Sequence, residues 1–383
     1  KKIYLIFGAN GMLGQKILQK LSKKKKFTYG TIRLKKNRKL NNYKIIYNVD
    51  VNNFRNIEKL IHQIKPNYVI NCTGLIKQKL EVKRNDNFKK INFLFPLFLD
   101  RLSKKYLFRH IHFSTDCVFN GNKGNYTERS KKNAIDDYGK YKIAAENNII
   151  NNTLKIRTSI IGHEINKKKY SLLEWFLSSK NNVRGFKTAY FSGLTTLEIS
   201  NIIYKIVNKK NFITGLYNIA SNKISKYELI KKINKVYSLN KAVISDDTFK
   251  IDRSLNPKKF NDRFKININT WDVQIKNMYN DYIKNKEMYK WFLKNLFFFK
   301  EFKVEINLSN LQYQNKNIFI FGSAIYDDFS KLNKKNIKNK VKDLTGYFFI
   351  IIINKDTIEC ITDVAANNRV YYCKKNKTLK IFD

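Results

Sequence analysis

Ile3-Tyr4-Leu5-Ile6-Phe7, an apolar run, passes without a break into Gly8-Ala9-Asn10-Gly11-Met12-Leu13-Gly14. The run has the length of a buried strand, and the G-x-x-G-x-x-G string after it opens a helical pattern. Glycine permits the tight turn and lets the backbone approach a ligand closely, while a helix N-terminus offers free N–H groups and a partial positive charge. A strand, such a loop and a helix in that order point to binding of a dinucleotide's phosphates at Gly8, Asn10, Gly11, Met12, Leu13 and Gly14.

Outward from that loop, short apolar runs recur at residues 27–32, 44–49, 68–72, 110–114 and 154–158. Between them, residues 12–21, 53–64, 87–104 and 138–150 carry apolar side chains three and four apart, the period of crossover helices. The alternation predicts an α/β, doubly wound parallel-sheet Rossmann domain over 1–160. A smaller substrate lobe over 161–290 is read from helical patterns at 171–177, 196–207, 226–236 and 271–283, with a strand at 215–219. From about residue 300 the texture turns to strands, at 318–321, 347–353, 357–362, 370–373 and 379–382, which predicts a mostly β module over 300–383.

At about 150 residues per domain, 383 residues suit two or three domains, and 43% hydrophobic residues suffice for a core. The formal charge of +46 raises nucleic acid as a partner. Yet the basic residues are spread through the first 300 positions with no single basic arm, in a chain crowded with Lys, Asn and Ile. The excess therefore reads as compositional, and nucleic acid is not the expected partner. Cys72, Cys117, Cys360 and Cys373 make no C-x-x-C or zinc spacing, which suits a reducing compartment. The run at 3–7 is too short for a signal-peptide core, and the run at 347–353 falls far below the about 20 residues that span a bilayer. A cytoplasmic protein without membrane insertion is expected; a homodimer stays open.

Candidate chemistry gathers after the strands. Arg33 follows the second strand where NAD-preferring proteins carry an acid, which favours the 2′-phosphate of NADPH, with NADH the alternative. Asp50 and Val51 after the third strand are placed to border adenine, and Cys72-Thr73-Gly74 after the fourth to line the middle of the cofactor. Tyr138 and Lys142 form a Tyr-x-x-x-Lys pair on one helix face, where a cation lowers a phenol's pKa and equips it for proton exchange with a substrate oxygen. Ser114-Thr115-Asp116 ends the preceding strand, so the Thr115 hydroxyl is placed to bond a carbonyl oxygen. The aromatics of Trp175 and the 190–195 segment are expected to pack in the core before all, with stacking in the substrate cleft the alternative use. His163 is expected at the surface, and His62, His110 and His112 show no metal-ligand spacing.

At these residues the chain resembles the extended short-chain dehydrogenase/reductases. Ser114-Thr115-Asp116-Cys117-Val118-Phe119-Asn120-Gly121, then Tyr126-Thr127-Glu128 and Ile156-Arg157-Thr158-Ser159, look like the dTDP-4-dehydrorhamnose reductase branch, over residues 1–285. The resemblance implies hydride transfer from NADPH to a 4-keto group of a nucleotide-activated deoxysugar, in surface-polysaccharide synthesis. Tyr138 would donate the proton, Lys142 hold the cofactor ribose and Thr115 bond the carbonyl, with Asp116, Cys117, Val118 and Phe119 beside the sugar. The family string commonly has Tyr where Cys117 stands. A dehydratase would need Glu at that position, and an epimerase normally retains NAD. The regulatory β subunit of methionine adenosyltransferase resembles the same branch, so a non-catalytic nucleotide-binding subunit is the competing reading. In the last module, 344–349 and 361–372 resemble hairpins of the glutaminase-like part of asparagine synthetase relatives, but no Cys nucleophile leads it. That module is expected to be a binding, scaffolding or truncated remnant rather than to release ammonia.

Overall fold

The computed structural model describes residues 2–25, 27–33, 43–75, 85–164, 171–179 and 182–285, and beyond these four strands between 311 and 362. Two compact units divide the chain, Lys1–Asn285 and Lys286–Asp383.

In the first unit, β1 (Tyr4–Phe7), β2 (Thr28–Thr31), β3 (Lys44–Ile46), β4 (Tyr68–Asn71), β5 (Arg109–Ser114) and β6 (Thr153–Arg157) build the main sheet. The short strands β7 (Ile160–Ile161), β8 (Asn182–Phe186), β9 (Ala189–Phe191) and β10 (Leu194–Thr195) follow, and then β11 (Gly215–Asn218). The main sheet has seven strands in the order β11-β6-β5-β4-β1-β2-β3, every pairing parallel. This is the Rossmann-type α/β architecture anticipated from the alternation, with the strand order reversing between β1 and β4. Parallel strands end on one edge, and the crevice outside that edge at the reversal is where such sheets take ligands.

Helices α1 (Met12–Lys24), α2 (Phe54–Ile64), α3 (Asn85–Lys89), α4 (Phe95–Lys105) and α5 (Asp137–Asn148) provide the crossovers. The central strands β1, β4, β5 and β6 are buried on both faces, the edge strand β3 is not, and the two faces are filled separately. Ile17, Leu21 and the Ile199-Ile202-Ile203-Ile206 stripe pack with Tyr4, Ile6 and Ile70 on one side; Ile57, Ile61, Phe95 and Leu99 pack with Leu5, Phe7 and Val69 on the other. The single helix expected over 87–104 is interrupted by a π-helical turn, Lys90–Leu94. Pro96 explains the break: it has no N–H to return to the carbonyl of Asn92, so the regular ladder cannot run through that point.

The later part of the unit adds α6 (Leu172–Ser178), α7 (Thr196–Val207), α8 (Lys226–Val236), α9 (Lys258–Phe264) and α10 (Trp271–Lys284), with strands β12 (Ile224–Ser225), β13 (Ala242–Asp246) and β14 (Ile251–Asp252). These strands make two small sheets, β12-β9-β14 and β13-β8, over a core of Leu173, Phe176, Leu229, Ile233, Trp271 and Ile275. The strand expected at 215–219 as part of this lobe is instead β11, on the edge of the main sheet. Among the described residues, no helix is long and apolar enough to cross a membrane.

In the second unit, β15 (Leu311–Asn315), β16 (Ile318–Ile325), β17 (Thr345–Ile353) and β18 (Ile358–Thr362) form an antiparallel sheet in sequence order. The expected strands at 370–373 and 379–382 lie outside the described residues.

Two histidines sit inside the sheet, at His110 and His112 on β5, neither exposed. Burial, opposed by Asp100, pulls His110 down to about 4, and His112 is held well below the usual imidazole range, by burial first and the Lys142 charge next. The folded chain therefore binds fewer protons than the unfolded one between about pH 4 and 6.5, and stability falls as pH drops through that window. At about 1.4 kcal/mol per unit, His110 alone removes about 3 kcal/mol on going from pH 6.5 to 4. Urea titrations across that range should show a flatter acid limb for His110→Gln; identical limbs would contradict this assignment.

Candidate active site

The glycine loop closes on itself through hydrogen bonds from Gly11 N to Gly8 O (2.9 Å) and from Gln15 N to Gly11 O (3.1 Å). Gly8 has φ +76°, a left-handed conformation that favours glycine, and a Cβ there would meet the Cys72 carbonyl at 3.1 Å. A Cβ on Gly14 would stand 2.2 Å from Gly8 O, so α1 rests directly on the loop. No side chain caps α1 and no acid stands in its first turn, unlike α5, α6, α7 and α8, each capped by a side-chain oxygen. An open N-terminus beside a tight glycine turn is the donor set that a pyrophosphate needs.

The neighbouring strand ends complete that edge. Arg33 is exposed just past β2. Asp50 is exposed after β3 and accepts from Asn52 N (3.0 Å), while Val51 turns into the core instead of outward. After β4, buried Asn71 accepts from the Thr73 N–H (3.0 Å) and hydroxyl (2.6 Å) and so shapes Cys72-Thr73-Gly74. Cys72 is half-buried, and burial pushes its thiol up, away from nucleophilic use. Asn92, fully buried in the π turn, receives Leu75 N (3.3 Å) and donates to Leu75 O (3.1 Å), which ties the helix irregularity to the loop on this edge.

Thr115, Tyr138 and Lys142 meet at the end of β5. Thr115 accepts from Cys117 N and donates to Asp116 Oδ1, both at 3.2 Å, as the cap of a short 3-10 turn, Asp116–Val118. Tyr138 lies in the first turn of α5, its ring edge-on to Phe88 with centroids 6.4 Å apart. Lys142, one turn on and buried, donates from Nζ to Phe113 O (3.1 Å). Burial, with the Cys117 thiol adding to it, pushes the phenol up, against a hydrogen-bond interaction with the Thr115 side chain; burial, opposed by Glu146, brings Lys142 down to about 8. The sequence pattern suggested a phenol whose pKa a lysine lowers. Here burial holds the phenol neutral and proton-bearing, and the ammonium gives one of its three donors to the Phe113 carbonyl.

Beneath this group lies a network that motif reading did not anticipate. Arg157 on β6 grips Glu146 on α5 with Nε–Oε1 3.0 Å and Nη2–Oε2 2.6 Å, neither side chain exposed. Ser114 Oγ donates to Glu146 Oε1 (2.5 Å), and Arg157 Nη1 reaches Asn218 Oδ1 (3.3 Å) and Thr127 O (3.4 Å). The spacing Tyr138, Lys142, Glu146 places all three on one helix face, a signal the sequence did contain. Val118 and Phe119 are buried, Phe119 stacked on Tyr126 at 4.0 Å and lying under the Arg157 guanidinium at 4.9 Å. Their part is to support the loop from within. Trp175 is 46% exposed on the outer side of α6, away from the buried face formed by Leu173 and Phe176. His163, expected at the surface, is buried between Glu174 Oε1 (3.1 Å) and Tyr237 OH (2.9 Å), because α6 and α8 fold over it.

The family model of the RmlD substrate binding domain matches residues 2–284. The chain belongs to this family. No curated protein sequence matches it. Among solved structures, a hypothetical dTDP-4-dehydrorhamnose reductase from Sulfolobus tokodaii is 25% identical with a TM-score of 0.60, covering 71% of this chain and 98% of that one. The dTDP-4-dehydrorhamnose reductase of Clostridium acetobutylicum is 21% identical, TM-score 0.59, covering 73% and 99%. That of Bacillus anthracis, solved with NADP, is 19% identical, TM-score 0.59, covering 73% and 99%. The family match places the chain among the extended short-chain dehydrogenase/reductases, and its structural neighbours include a dTDP-glucose 4,6-dehydratase solved with NAD. A nicotinamide cofactor fits the loop at β1: an RmlD-family glycine turn with an uncapped helix behind it. Gly14→Ala should raise the dissociation constant of the nicotinamide cofactor, titrated by fluorescence with both NADPH and NADH, by about tenfold or more for whichever binds, since α1 must then lift off Gly8 O; unchanged binding would contradict this account of the loop.

Proposed function

We propose that this RmlD-family chain reduces the 4-keto group of a nucleotide-activated deoxysugar with NADPH, in the supply of surface-polysaccharide precursors. The observation that carries the reading is the meeting of Thr115, Tyr138 and Lys142 at the end of β5, on the edge that also holds the glycine loop. Family membership supports the substrate class, and Arg33, exposed beyond β2, supports the phosphorylated cofactor.

When bound, the dihydronicotinamide supplies the hydride. As negative charge grows on the sugar's carbonyl oxygen, the Tyr138 phenol gives its proton to that oxygen and Thr115 Oγ1 donates a hydrogen bond to it. A phenol kept neutral by burial is in the correct state for a proton donor at neutral pH. Lys142 serves the ribose hydroxyls of the cofactor, and its ammonium supplies charge that helps the phenol release its proton. Asp116 and Cys117, half-buried in the turn after Thr115, border the sugar, and Trp175 offers its exposed face to the far end of the substrate.

Tyr138→Phe removes the transferable proton and leaves the ring packing on Phe88 intact. It should lower kcat by about a hundredfold or more while the NADPH dissociation constant stays within about twofold. NADPH consumption with dTDP-, UDP- and GDP-linked 4-keto sugars measures this. Equal turnover in the two proteins would favour a nucleotide-binding subunit that acts without chemistry.

A further inference from the structure

We propose that one internal water molecule is bound between His112 and His110 on β5, accepting from His112 Nε2–H and donating to His110 Nε2, and that it completes a hydrogen-bonded chain through the sheet from Thr73 to Asp100. The site lies in the core and does not depend on the reductase reading.

The two rings stand two residues apart on one face of β5, with centroids 6.1 Å apart. Burial keeps both neutral at neutral pH, so each has one nitrogen that donates and one that accepts. Their neighbours impose opposite tautomers. Asn71, paired with His112 across β4 and β5, takes the Thr73 N–H (3.0 Å) and hydroxyl (2.6 Å) on Oδ1, so the atom it presents to His112 Nδ1, at 3.4 Å, is Nδ2. An amide nitrogen only donates; His112 Nδ1 therefore accepts, and the ring proton sits on Nε2. Thr153, paired with His110 across β5 and β6, gives its one hydroxyl proton to Asp100 Oδ1. It can only accept from His110 Nδ1, at 3.0 Å, which leaves His110 Nε2 bare.

His112 thus has an N–H to give and His110 a lone pair to fill, and among the described residues neither Nε2 has a partner, although neither ring is exposed. Buried polar atoms in folded proteins are nearly always hydrogen-bonded, to protein or to water. The charged groups whose fields reach the rings meet neither need. Lys142 and Lys155 act on His112 and have only donors to offer, and Lys155 already serves Glu146 O and Ile149 O. Asp100, which acts on His110, receives Thr153 on one oxygen and Ile150 N, Asn151 N and Asn151 Nδ2 on the other. A cation is disfavoured beside two ammonium groups and a protonated Nε2. One water accepts and donates at once, and two hydrogen bonds of about 2.9 Å end to end match the spacing of the rings. With the water in place every link donates in the same sense: Thr73 to Asn71, Asn71 to His112, His112 to water, water to His110, His110 to Thr153, Thr153 to Asp100. Bonds aligned in this way polarise one another, and the loop after β4 is anchored through β5 and β6 to a carboxylate on α4.

Long-range proton–nitrogen correlation spectra of the full chain, isotope-labelled in histidine, read the tautomer of each ring at neutral pH. His112 should carry its proton on Nε2 and His110 on Nδ1, and the His112 Nε2–H should show a cross-relaxation peak to the water resonance. Magnetic relaxation dispersion of the water oxygen, which counts long-lived internal waters, should find one fewer in His112→Phe and in His110→Phe than in the parent chain. Where a variant fails to fold, the spectra of the parent chain decide. The same tautomer in both rings, an Nε2–H without a cross peak to water, or a full count of internal waters in both folded variants would overturn the site.

Discussion

A fully buried ion pair, Glu146 with Arg157, is the constraint on which the site depends. Charges are costly to bury unless geometry is good and the remaining donors and acceptors are met. Here the fork is bidentate, Ser114 supplies a further donor to the carboxylate, and Asn218 and Thr127 receive the second arm of the guanidinium. One interaction thereby joins α5, β5, β6, β11 and the loop through Thr127. Because Tyr138 and Lys142 lie two turns and one turn before Glu146 on the same face, clamping Glu146 sets the rotation of α5 and brings the phenol to the end of β5. The Tyr138 phenol is thus aimed from below, by a pair that lies beneath it.

The same logic explains why separate pieces of the resemblance belong together. Tyr126-Thr127-Glu128 and Ile156-Arg157 are far apart in sequence, yet Arg157 bonds Thr127 O, Glu128 accepts from Asn218 N (2.8 Å), and Asn218 donates to Tyr126 O (2.8 Å). The candidate site residues gather at the ends of parallel strands, and these bonds tie those strand ends to their loops. Positions that appear in a motif without any evident chemistry turn out to be the framework of the site.

The main sheet was legible in the sequence because a strand buried on both faces must be a short continuous apolar run, and Leu5-Ile6-Phe7 or Val69-Ile70 can be little else. The glycine loop was legible because backbone approach admits few residues other than Gly8 and Gly14. Long-range convergence was not legible. Nothing local distinguishes β11 as an edge strand of the main sheet from a strand of the second lobe, and nothing near His163 announces that Glu174 and Tyr237 close over it. The phenol's state was not legible for a related reason: spacing puts a lysine near Tyr138, but burial decides the sign of the shift, and the ammonium bonds Phe113 O.

Hydride delivery to the sugar is the claim on which the functional account stands, and isotope transfer measures it directly. Turnover of a 4-keto nucleotide sugar with NADPH deuterated at the transferring C4 position should place one deuterium on C4 of the product sugar, read by NMR, for each NADPH oxidised. Product without label, or bound cofactor that is never oxidised in the presence of these sugars, would contradict reduction at this site.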